Sequence, residues 1–426
     1  MKGIVKVISI AVLTLAAAAA WAQQFHSGAS RLLDAAHPAI QYYKTPAGNR
    51  VSRLAAQLES GQVTLRYDRD HGYLPALLER LDVPVSSQTL VFSKTSFQSA
   101  RISPRLPRAV YHNEDSYIGF VRGGDVLEIA VMDPKLAIAF YSLDQGETSQ
   151  PRLRQRGDEC LQCHHAGSTL GVPGVLVRSI TPDRSGTPVF PGPSYITDHR
   201  SPFKERWGGW FATGTHGKSR HMGNVYVEKG DPADSLDPSL GANVTDLQRL
   251  FDAGAYLAPH SDIPSLMVME HQTRMANLLA RTAWSYRIDH TVDQAQVEEL
   301  VRYMLFAGEA KLESPVQGAS SFAKEFSQRG VRDKAGRSLW QLDLERRLMT
   351  YPCSYLIYSE SFDQLPKPVQ EAIYARLLAA LTARNNDAAH LSVGDRLAIR
   401  EILAETKRSL PGEWRAVRLP RPSTVP

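Results

Sequence analysis

The chain predicts an α+β fold, predominantly α, with a mixed N-terminal part containing a β-hairpin, a loop-rich middle segment and a helical C-terminal part. Three observations predict it. Segments rich in Val, Ile, Tyr and Phe lie before residue 150, Gly and Pro are dense from Pro151 to Gly230, and apolar residues recur at helical spacing from about Asn243 to Ser409. With 43% hydrophobic and 22% charged residues, the composition excludes a disordered, collagenous or multi-span membrane chain. Three cysteines among 426 residues are too few for a disulfide scaffold, so an ordinary core must hold the fold.

Residues 1–22 read as a secretory signal peptide. Lys2 and Lys6 flank and enter an apolar run from Ile4 to Ala20, and Ala20-Trp21-Ala22 matches the small-residue cleavage pattern. The competing transmembrane anchor is disfavoured because the run is near the lower limit for a span and ends in polar Gln23 and Gln24. Export places the mature chain in an oxidising compartment, periplasmic or secreted, with no membrane span of its own. Its charge falls from +5 to +3 once the two lysines are removed. So small a balance, without a basic run interleaved with aromatics, does not argue for nucleic acid, and no nucleic-acid partner is expected.

The N-terminal part, 23–150, contains short helical patterns at Arg53 to Leu58 and Pro75 to Leu81. Strand patterns follow at Thr89 to Phe92, Tyr117 to Val121, Val126 to Met132 and Leu136 to Leu143. The last two flank Asp133-Pro134-Lys135, a turn signal that predicts a hairpin. Segment 151–240 has little periodicity, and so long a stretch without regular elements needs another organiser. In 241–409 four amphipathic helices are predicted: Ser265 to Arg287 behind Pro264, Asp293 to Gly308 behind an acidic cap, Pro366 to Arg384, and Ser392 to Ser409. Residues 410–426 form a tail, Pro-rich at its end.

The organiser of the middle segment is Cys160-Leu161-Gln162-Cys163-His164, a C-x-x-C-H pentapeptide. Its spacing suits covalent haem c: two thiols three apart meet the two vinyl groups of one porphyrin edge, and the next residue sets an imidazole beneath the iron. Random placement of these cysteines and histidines yields the pentapeptide about 4 times in 10,000. A thioredoxin-like dithiol would need a preceding parallel strand and a helix opened by the motif. A zinc site would need a second half such as another C-x-x-C.

On this motif the chain resembles monohaem c-type cytochromes. It also resembles a group of exported bacterial proteins with one such motif, a Gly/Pro-rich segment after it, and runs like Trp207-Gly208-Gly209-Trp210-Phe211-Ala212-Thr213-Gly214-Thr215-His216-Gly217 and Arg220-His221-Met222-Gly223-Asn224. The resemblance implies one haem c, with Cys160 and Cys163 as thioethers and His164 as proximal iron ligand. It implies no substrate. Because about 137 residues of mature chain precede the motif, a plain small cytochrome c fold is not expected.

The sixth iron position divides electron carriers, whose axial sites are both filled, from enzymes and sensors, whose iron keeps an open or displaceable site. Met222, 58 positions after His164, is the leading distal candidate, with His216 and His221 as alternatives and His199 and His165 behind them. Against each stands the plain reading of a packed or hydrogen-bonded side chain. Met267, His271 and Met275 share one helix face that is more typical of core than of ligands. Arg200 and Lys204, with Arg206 and Lys218, are candidates for pairing with haem propionates, and solvated surface is their competing reading. Trp207 and Trp210 are candidates for walling the porphyrin. Cys353, in an aromatic setting, is expected to be a buried inert thiol.

The expected function is electron transfer with a redox partner protein or a small electron donor or acceptor. The alternative is a haem enzyme of peroxidase or oxidase type, and a third is a haem-based sensor of a small ligand. Segment 151–230 carries 11 Lys/Arg and 6 Asp/Glu, so positive charge concentrates around the motif, where propionates or an acidic partner would need it.

Overall fold

The structure, a computed structural model, describes residues 31–95, 98–382 and 388–416; the expected signal peptide and the last ten residues of the tail lie outside them. It corrects the fold class: the chain is 35% helical and 16% strand, a mixed α/β fold around a seven-stranded antiparallel sheet, not a predominantly helical one.

Six strands of the large sheet come before the motif: β1 (Thr89–Val91), β2 (Arg108–His112), β3 (Ser116–Val121), β4 (Val126–Asp133), β5 (Ala137–Asp144) and β6 (Leu153–Arg156). β4 and β5 pair around the Asp133 turn, with Asp133 opposite Ala137. Two further strands of the middle segment, β7 (Val177–Ile180) and β8 (Ser194–Thr197), form a small sheet, and β9 (Trp210–Phe211) returns to pair with β1. The large sheet runs β6-β5-β4-β3-β2-β1-β9. Its central strands are buried on both faces, so their sequences are near-continuous apolar runs rather than alternating ones. β10 (Gly214–Thr215) and β11 (Gln317–Gly318) make a third, two-residue pairing.

Alternation along the strands sorts the residues by face. Register pairs Arg108 with Val121, Gly119 with Glu128 and Ala130 with Phe140, so Arg108, Gly119, Glu128 and Phe140 share one face with His112 and Tyr117. The 27-residue helix Ile263–Asp289 lies across the His112 end of this face, where His112 Nε2 meets Ser265 Oγ at 2.8 Å. Its N-cap is Asp262, followed by Pro264 in the first turn. Twenty of its residues are buried, which explains why it shows no clean polar face. On the other face, helix Arg50–Glu59 is capped by Asn49, whose amide also donates to Asp133 and to the Tyr141 hydroxyl.

The C-terminal helices Gln294–Met304, Lys367–Thr382 and Val393–Thr406 pack beside the long helix, tied by ion pairs such as Arg376 with Glu298. Asp293 and Ser392 cap two of them, Asp293 as the sequence predicts. One apolar cluster runs from Ala35 to Trp414, so the sheet, the middle segment and the helices share a core. Among the described residues no helix is long and apolar enough to cross a membrane.

Candidate functional site

The pentapeptide lies on a seven-residue helix, Asp158–His164, that leaves the edge strand β6 through Gly157. Asp158 and Glu159 occupy its first turn, where negative charge suits the exposed amides. Residues three and four apart share a helix face, so Cys160, Cys163 and His164 stand together. Leu161 points the other way into the core and anchors the helix. Cys160 is half-buried, Cys163 exposed and His164 half-buried, so this face is accessible.

His164 is oriented by the loop that follows. Its Nδ1–H donates to the Gly174 carbonyl at 2.8 Å, and the Gly174 amide returns a bond of 2.8 Å to the His164 carbonyl. That loop is bolted to the long helix by buried Asn277, which accepts from the Val175 amide at 3.2 Å and donates to the Val175 carbonyl at 2.8 Å. A side chain at position 174 would meet the Asn277 carboxamide oxygen at 2.4 Å, so only glycine allows this approach. Phe140 of β5 backs the imidazole, with ring centroids 4.9 Å apart.

With Nδ1 carrying the proton, Nε2 is left as a lone pair, and no hydrogen bond engages it among the described residues. Burial holds the His164 pKa below its ordinary value, so the ring is neutral near pH 7 and competent as a metal ligand. Burial, with the carboxylates of Glu159 and Glu128, pushes the Cys160 thiol up to about 11. A redox-active dithiol needs the opposite shift, and β6 is an antiparallel edge strand rather than the parallel strand of a thioredoxin-like unit. The residues therefore fit covalent haem attachment better than thiol exchange. Among the described residues no group of three or more His, Cys, Asp or Glu is gathered as a metal site, which leaves the zinc reading without further ligands.

The other candidates lie in a different neighbourhood. His216, His221, Trp207 and Phe203 form a buried knot with ring centroids 4.7 to 6.0 Å apart. Both His216 nitrogens are engaged: Nδ1 donates to the Ser219 carbonyl and Nε2 accepts from the Asn243 amide. His221 Nδ1 accepts from the Gly223 amide, which places its proton on a buried Nε2. Met222 is 6% exposed, and its sulfur accepts from Ser179 Oγ at 3.8 Å. No contact among the described residues joins these side chains to His164.

Arg200 is held by Asp198 at 2.6 Å and lies over the Tyr303 ring, while Lys204 and Lys218 are exposed and Arg206 pairs with buried Glu270 at 2.9 Å. His199 stacks on Tyr303 and Phe306, and its Nδ1 meets His271 Nδ1 at 2.8 Å. His271 Nε2 meets Ser354 Oγ, and Met267, Met269 and Met275 are core. His165 bonds the Gly171 carbonyl, Trp210 donates to the Arg178 carbonyl, and Cys353 is fully buried with its thiol pushed well up by burial.

Sequence reasoning missed Asn277, Phe140, Arg108 and Glu128. One signal was present: Gly119 inside a strand pattern marks a close approach by another group, and Arg108 makes it. Comparison with protein-family models, with curated proteins and with solved structures found no match to this chain.

Proposed function

We propose that this chain is an exported c-type cytochrome that carries one covalent haem at Cys160, Cys163 and His164 and transfers electrons with a redox partner in the periplasm or outside the cell. One observation carries the reading. On an accessible helix face with two thiols, His164 is locked through Nδ1 to a backbone carbonyl, leaving a neutral Nε2 lone pair unengaged. Bound there, haem supplies a one-electron redox centre. The protein contributes the thiols, a fixed imidazole and a loop pinned to the long helix, so little reorganisation accompanies a change of charge. The expected outcome is covalent haem on a denaturing gel that disappears when Cys160→Ala is combined with Cys163→Ala. Retained haem staining in that variant would falsify the attachment.

A second reading, a haem enzyme of peroxidase or oxidase type or a small-ligand sensor, is favoured by the engagement of Met222, His216 and His221 inside their own knot. An absorption spectrum separates the two readings. A low-spin iron indifferent to carbon monoxide supports the carrier, whereas a high-spin iron that binds it supports the open site.

A further inference from the structure

Beside the attachment helix the shared sheet face carries an ion pair that nothing in the sequence singles out. Arg108 on β2 runs across Gly119 on β3 and reaches Glu128 on β4, with Nη2 to Oε2 at 2.6 Å. The side chain at position 119 is missing for this reason: a Cβ there would lie 2.3 Å from Nη2 and 2.6 Å from Nε of Arg108. Glu128 is fixed in turn by the Gln98 amide at 2.9 Å. The arginine is 22% exposed, and its Nε is a buried donor with no partner. A guanidinium offers five N–H groups, and this one leaves part of its fork unused.

Its placement relates it to the motif. Glu128 is the diagonal neighbour of Phe140, about 7–8 Å away on one sheet face, and Phe140 is the ring that backs His164. Arg200, Arg206 and Arg156 have carboxylate partners in Asp198, Glu270 and Glu159, as Arg108 has in Glu128; what sets Arg108 apart is its place on the sheet face of Phe140, with an Nε that has no partner.

We infer that Arg108, laid flat over Gly119 and braced by Glu128, is the cation that receives a haem carboxylate at this site. The inference rests on the haem reading above. A planar guanidinium pairs with a carboxylate through two parallel hydrogen bonds, which a lysine cannot reproduce, and a carboxylate drawn into a partly buried site needs such a partner. Arg108 is thus a positioning residue, setting how the porphyrin edge lies against the sheet and how much negative charge the iron feels.

The test is a spectroelectrochemical titration of the haem-loaded protein from about pH 5 to about pH 8, the range in which a carboxylate deprived of its cation titrates when partly buried. Arg108→Gln is expected to lower the midpoint potential and to introduce a pH dependence that the unaltered protein lacks; Arg108→Lys is expected to restore the potential in part. An unchanged potential and pH profile with full haem content overturns the inference, as does a lower potential without new pH dependence, which is a distant charge effect only. Should Arg108→Gln fail to fold because Glu128 is left unpaired, the double variant with Glu128→Gln removes both charges. It is expected to show the new pH dependence, and a wild-type profile overturns the inference there too. Haem staining of the unaltered protein is read separately: no covalent haem overturns the attachment and this inference together, whereas haem present with a silent Arg108 overturns this inference alone.

Discussion

Asn277 uses both ends of its amide on one peptide unit, Val175, and so fixes the loop whose Gly174 carbonyl orients His164. Asn277→Ala strips partners from a buried N–H and a buried C=O at once. It is expected to lower stability by about 1–3 kcal/mol, the cost of leaving such groups unsatisfied. Urea unfolding of the variant measures this, and a loss under about half a kcal/mol would mean that water replaces the amide. At this scale legibility follows from chemistry. Cys160, Cys163 and His164 can be read because the proposed attachment to one porphyrin edge needs residues close together in the chain. Met222, His216, Arg200 and Lys204 were drawn from the segment that follows the motif, Met222 for its spacing of 58 positions from His164, and the structure gives each another neighbour or leaves it in solvent. Arg108, Phe140 and Asn277 come to the motif from other elements, by strand register and helix packing that no local pattern encodes.

The helices were legible as elements because their caps and periods are local. Asp293 and Ser392 begin the helices they were expected to begin, and the long helix extends only slightly beyond Ser265 to Arg287. Strand content was underestimated because several strands are too short to show a period. β6 has four residues and β9 two, and β9 is held by a strand about 120 residues earlier in the chain. The Gly/Pro-rich segment was expected to be irregular, yet β9 closes one edge of the large sheet and Asp158–His164 is a helix too short for a periodic signal. Close backbone contacts explain several of its glycines. The Ile180 amide at the end of β7 donates to the Gly208 carbonyl at 3.0 Å, and a Cβ at 208 would lie 2.0 Å from the Ile180 oxygen. Gly208→Ala must push two backbones apart, with an expected loss of about 1–3 kcal/mol. Thermal melting checks it, and an unchanged midpoint would show that the segment yields without cost.

At the scale of the whole molecule, the single core encloses several ionisable groups, and their titration sets how the fold responds to pH. Burial holds His112 at about 4, His221 at about 3 and His271 at about 3, and drives His199 well down, its charge opposed also by His271. Burial acts the other way on Glu270 and Glu309, lifting each to about 7 despite the neighbouring Arg206 and, for Glu309, the Leu348 amide. Between about pH 4 and pH 6.5 the unfolded chain binds protons on the four histidines that the folded chain excludes, so this set makes stability rise with pH. Over about pH 4.5 to 7 the two glutamic acids hold protons in the folded state that the unfolded chain has released, so they make stability fall as pH rises. His164, His216 and His260 are shifted down in the same sense and Asp115 and Asp262 up in the opposite one, so lowered histidines outnumber raised acids, and the net expectation is a fold that gains stability from pH 4.5 to 6.5 and then loses part of it towards pH 7.5. Urea midpoints measured across that range should therefore peak near pH 6.5. Glu270→Gln, which keeps a neutral side chain beside Arg206, should flatten the decline above the peak; a decline of unaltered slope would place its cause outside the buried glutamates.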